Sequence, residues 1–97
     1  MTLPTGDAPL AALKQWLAIS TAQDDALLER LLVVAWQTCS GFVGPGLPQA
    51  WAEVPPALNE GVIRFAAHLY RLRDESIESE PPAAVAALWR PYRALRL

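Results

Sequence analysis

Apolar positions recur three and four residues apart along most of the chain, and the rhythm breaks at proline and glycine. Leu10, Leu13 and Leu17 make one stripe, and Pro9 suits a first helical turn, so a helix is predicted from about Pro9 to Ala18. Ser20 or Thr21 is placed to cap the next helix, with Asp24 and Asp25 in its first turn to complement the dipole. Leu28, Leu31, Leu32, Ala35 and Cys39 line its inner face, while Leu27, Val34 and Trp36 fall off that stripe. A helix apolar over so much of its girth packs at the centre of a core or against another subunit.

Residues 40–54 hold three glycines and two prolines and read as a long loop between the second and third helices. The segment still carries Phe42, Val43, Leu47, Trp51 and Val54, so it is expected to dock on the protein. Pro55 and Pro56 open a third helix that reads to about Arg73, with Leu58, Val62, Phe65, Leu69 and Leu72 as the clearest stripe in the chain. Glu60 and Arg64 form a favourable i, i+4 pair on it. Residues 74–80 carry four acidic side chains and form a linker. Pro81-Pro82 starts a short fourth helix through Val85, Leu88 and Trp89, stopped near Pro91, and residues 90–97 form a tail with three arginines and no acid.

Composition sharpens the class. Alanine (17) and leucine (15) supply a third of the 97 residues, against 13 Val, Ile and Thr together, which favours helix over sheet. The expectation is one all-α domain over residues 1–97, a small bundle of about four helices with a Gly/Pro-rich loop between the second and third. No run reaches about 18 consecutive apolar residues, and no basic-then-apolar segment opens the chain, so neither a membrane span nor a secretion signal is expected.

Candidate chemistry is sparse. One cysteine (Cys39) and one histidine (His68) exclude a disulfide framework and leave too few ligands for a Cys- or His-based metal site. The glycines at 41, 44 and 46 lack the lysine of a phosphate loop. Cys39 reads as a small core residue, His68 as a helix-surface residue, and Asp24-Asp25 as a helix-start device. No catalytic residue, cofactor or metal is expected. The net charge of −2 and pI of 5.2 argue against a general nucleic-acid binder.

Signals for protein contact are stronger. Four tryptophans (Trp16, Trp36, Trp51 and Trp89) are many for one small core, so either Trp36 and Trp89 fill it or some of the four meet a partner. The arginine tail reads either as a solvated terminus or as a segment that orders on an acidic partner, with Tyr92 and Leu95 as anchors.

Three motifs in register carry a resemblance. Residues 54–75, from Val54-Pro55-Pro56-Ala57-Leu58 through His68-Leu69-Tyr70-Arg71 to Asp74-Glu75, resemble the third-helix signature of tailed-phage head–tail connector (adaptor) proteins. Leu13-Lys14, Leu17-Ala18-Ile19, the Asp24-Asp25 pair and Leu27-Leu28-Glu29-Arg30 are similar to that family's start. Leu88-Trp89-Arg90-Pro91-Tyr92-Arg93 is similar to its closing motif. Ser20-Thr21-Ala22-Gln23 is less acidic than the family pattern, and the 41–48 segment is richer in chain breakers.

The resemblance implies a structural virion protein without catalytic residues, made in the bacterial host cytoplasm and placed at the virion head–tail interface. It implies self-association into a ring, dodecameric on the portal protein, that extends the DNA channel and offers a docking surface to a tail-side neck protein (stopper or tail terminator). DNA is then passing cargo, and no membrane is involved. The interface residues expected on this reading are Trp36, Phe42, Trp51, Tyr92, Arg93 and Arg96, and removal of residues 90–97 is expected to spare folding while abolishing portal binding. The competing readings are another neck component, richer in β structure, and a small helical regulator that binds DNA through Arg64, Arg71 and Arg73.

Overall fold

A computed structural model describes residues 8–48, 50–72 and 81–93. Four helices account for most of them: α1 (Ala8–Leu17), α2 (Asp25–Val43), α3 (Pro56–Arg71) and α4 (Ala83–Trp89). Single 3₁₀ turns follow the long loop, at Trp51–Glu53, and α4, at Arg90–Tyr92. The all-α architecture expected from composition and periodicity is present, and α3 is its hub, touching α1, α2 and α4. The acidic linker and the last four residues of the tail lie outside the described residues.

Ala18 ends α1 in the left-handed region at φ 60°. The N–H of Ile19 bonds the Lys14 carbonyl (2.9 Å) and that of Ala18 bonds the Gln15 carbonyl (3.2 Å), which makes a complete Schellman motif with Ile19 packed on the core. Glycine normally takes this position, since a Cβ there costs about 1 kcal/mol. Ala18→Gly is therefore expected to raise stability by about 0.5–1 kcal/mol, less the entropy glycine adds to the unfolded chain. A melting temperature below wild type would show that the turn is not strained.

Helix α2 differs from its sequence reading at both ends. Neither Ser20 nor Thr21 caps it; those residues belong to the turn after α1, and the helix starts at Asp25 with Asp24 before it. Asp24 makes no side-chain cap either. Its carboxylate instead accepts a 2.6 Å hydrogen bond from the Tyr70 hydroxyl, while Asp25 pairs with Lys14 at 2.8 Å. The two acids thus tie the start of α2 to α3 and to α1.

At the other end α2 runs through Gly41 to Val43, four residues beyond the predicted stop. Val43 lies four residues after Cys39 on the buried stripe, and its burial with that of part of Phe42 offsets the helical cost of one glycine. Gly44, at φ 106°, then ends the helix. The loop is correspondingly shorter and docked: Val54 is buried, and Leu47 and Trp51 pack on the core.

Helix α2 is long and apolar enough, by length and mean hydropathy, to cross a membrane. Its inner face is nevertheless the bundle core (Leu28, Leu32, Ala35, Trp36, Cys39 and Val43), and Glu29, Arg30 and Gln37 stand exposed on it.

Helix α4 reaches α3 at a glycine. The Trp89 indole lies on the α3 backbone at Gly61, and its Nε1 donates to the Leu58 carbonyl at 3.3 Å. A side chain at position 61 would occupy the place of the ring.

Candidate functional site

The added length of α2 has a consequence at one end of the bundle. Trp89 is fully buried, edge-on to Phe65 with centroids 6.1 Å apart, and tilted against Phe42 at 5.9 Å. Phe42 is half-buried, and over its outer face stands the Arg93 guanidinium, 5.0 Å from the ring centroid. The order Phe65, Trp89, Phe42, Arg93 is thus a stack running from core to surface. Pro91 fixes the turn that carries Tyr92, which is 42% exposed, and Arg90 is exposed beside it. Aromatic and arginine side chains held this way supply contact area without losing much freedom on binding.

Three of the six predicted interface residues, Phe42, Tyr92 and Arg93, therefore belong to the α2 end and the turn that follows α4. Trp51 lies elsewhere, in the 3₁₀ turn before α3, half-buried against Trp36 with centroids 6.4 Å apart. Asn59 holds that turn down, its amide donating to the carbonyls of Trp51 (3.1 Å) and Val54 (3.4 Å). Trp36 is 1% exposed. Its surface is spent inside the protomer, so it reaches a partner only by supporting Trp51. Arg96 lies outside the described residues. Of the four tryptophans, Trp36 and Trp89 fill the core.

The residue that sequence reading did not single out is Trp16, 43% exposed at the end of α1. Arg64 stands over its ring at 5.1 Å while keeping the expected pair with Glu60 at 2.9 Å. The available signal was position: Trp16 sits one residue off the Leu10–Leu13–Leu17 stripe, on the side that faces α3.

The groups weighed for chemistry have structural roles. His68 stacks on Phe65, centroids 6.5 Å apart. Cys39 is buried, and desolvation pushes its thiol from an ordinary 9.0 to about 12. Among the described residues no three His, Cys, Asp or Glu side chains gather as metal ligands.

The Cys39 shift is testable. A thiol whose folded value lies above the unfolded one contributes stability below pH 9, and loses it as the pH rises toward 12. Wild type is therefore expected to lose stability more steeply than Cys39→Ala between pH 9 and 11. Native protein should also react with a thiol reagent at pH 8 at least ~100-fold more slowly than unfolded chain. Equal labelling rates would show that the thiol is exposed.

Compared with known proteins, the chain matches a family model described as phage gp6-like head-tail connector protein over residues 7–88. No curated protein and no solved structure matches it.

Proposed function

The chain belongs to the phage gp6-like head-tail connector family, a family of structural virion proteins, and from that premise we propose that it joins portal to tail as a ring. On this reading each copy docks on the portal, twelve copies following the portal's symmetry, and the ring extends the DNA channel toward a tail-side neck protein. The mechanism is geometry and interface energy, with no bond made or broken.

The observation that carries the reading is the cap built by Phe42, Tyr92 and Arg93 with Arg90. It presents an aromatic and cationic surface that folding of the protomer leaves uncovered. Such a surface suits an acidic, partly apolar rim on a partner, and the stack beneath it keeps it rigid. Trp51 offers a second contact at the loop. The slight negative charge of the chain favours a channel through which DNA slides without being gripped.

Two observations weigh against the competitors. Helices without an extended strand among the described residues disfavour a β-rich neck component. Arg64, needed by the DNA-binding regulator, is engaged by Glu60 and laid on Trp16.

In vitro complementation tests the proposal. Particles assembled without this chain should accumulate as filled heads that lack tails, and purified protein should restore tail attachment and infectivity. Tailed, infectious particles formed in its absence would overturn it.

A further inference from the structure

The chain carries its own match for the cap. Residues 74–80, Asp74-Glu75-Ser76-Ile77-Glu78-Ser79-Glu80, hold four acids and no base around one isoleucine. The cap holds the reverse: exposed Tyr92 and half-buried Phe42 beside Arg90 and Arg93, with no acid in residues 90–97. Each therefore presents charge of a single sign around an apolar centre, and the two signs are opposite. Docking of a short acidic segment on an arginine cluster is a recurring mode of recognition, strengthened by charge-assisted hydrogen bonds.

The fold keeps the two apart within one copy. The start of α2 meets the end of α3 through the Asp24–Tyr70 hydrogen bond, and the end of α2 meets the end of α4 through Phe42 and Trp89. Leu72, just before the acidic segment, therefore lies at one pole of the bundle, and the cap lies at the other. Helix α3 has 16 residues, which sets the poles roughly 20 Å apart. Pro81, just after the segment, is separated from the cap by the length of α4. An acidic pole on a basic pole is a head-to-tail contact between copies, which leaves each copy one free half.

We propose that, before portal is met, residues 74–80 of one copy occupy the cap of another, with Ile77 against Tyr92 and the acids on Arg90 and Arg93. The contact uses the surface assigned above to the portal, so it rests on that reading and regulates the same site. Copies cover one another's caps until an acidic portal rim displaces them. A seven-residue segment buries little area, so the contact is weak and a larger rim outcompetes it.

Two variants of the whole chain separate the halves of the contact. Arg93→Glu spoils the cap, and Asp74→Asn with Glu75→Gln, Glu78→Gln and Glu80→Gln spoils the acidic segment. Sedimentation velocity at low salt reads association, with helical content matched to wild type by circular dichroism. Wild type should form assemblies that grow with concentration and dissolve as salt is raised. Each variant alone should associate at least ~10-fold more weakly. An equimolar mixture has one intact cap and one intact segment per pair, so it should recover the wild-type contact to within about 3-fold and stop at dimers. A wild type that stays monomeric at every concentration would overturn the contact, as would a mixture no better than either variant or variants that associate like wild type. Portal capture by a chain that never self-associates would overturn the contact and leave the connector reading intact. Assemblies that an excess of portal ring fails to dissolve would keep the contact and overturn portal docking at the cap.

Discussion

Gly61→Ala is expected to destabilise the fold by about 3 kcal/mol, near the top of the range for overpacking a tight site. The new methyl would stand inside the Trp89 indole, 2.8 Å from its Cδ1 and Cε2 atoms. Trp89 has little room to retreat, since Phe65 and Phe42 hold it and its Nε1 is bonded to the Leu58 carbonyl. For a domain of this size the loss corresponds to a melting temperature lower by roughly 12–24 °C, read by circular dichroism at 222 nm. Trp89→Phe should be costly alone yet nearly additive-free with Gly61→Ala, because the smaller ring leaves space for the methyl. An alanine variant that melts within about 2 °C of wild type would show that α4 does not sit on α3 as described.

The second large effect concerns binding. Tyr92→Ala with Arg93→Glu should lower the melting temperature by no more than about 4–8 °C, since both side chains are exposed and only the contact of Arg93 with the Phe42 ring, about 1 kcal/mol, is lost from the stack. Affinity for the portal is expected to fall at least ~100-fold, the loss of roughly one strong aromatic or arginine anchor. Reversal of an exposed charge elsewhere, Arg71→Glu, should change it less than about 3-fold. If both variants bind like wild type, the cap is not the portal contact. The double substitution is a cleaner test than removing residues 90–97, because Arg90 also donates its backbone N–H to the Ala86 carbonyl at the end of α4.

The helices were legible because their cores are periodic. Leu58, Val62, Phe65 and Leu69 of the α3 stripe are buried as their spacing implied, while its last member, Leu72, lies just past the end of the helix and is half-buried. The end of α2 was not legible, because Gly41 looks like a stop and only the burial of Val43, at the correct phase, outweighs it. The role of Asp24 escaped for a related reason: its partner Tyr70 is 46 residues away, and local capping rules do not see such a bond.

The candidate site divides in the same way. Phe42, Tyr92 and Arg93 were chosen as surplus aromatic and basic residues, and the stack that orders the first and last of them depends on α4 crossing α3 at Gly61. Trp36 was chosen for lying off its stripe, yet the loop that docks over it brings Trp51 against that side of the helix and buries it. Trp16 was weighed among the four tryptophans without being chosen, and it is the one left most exposed, with Arg64 of α3 over its ring. Tertiary position, which periodicity does not encode, separates these cases.

The most direct test of the connector reading is mass photometry of the cognate portal ring mixed with an excess of this chain. A rise in particle mass equal to about one copy of the 10.6 kDa chain per portal subunit is the expected result. A portal peak that stays at its own mass, whatever the excess of chain, would contradict it.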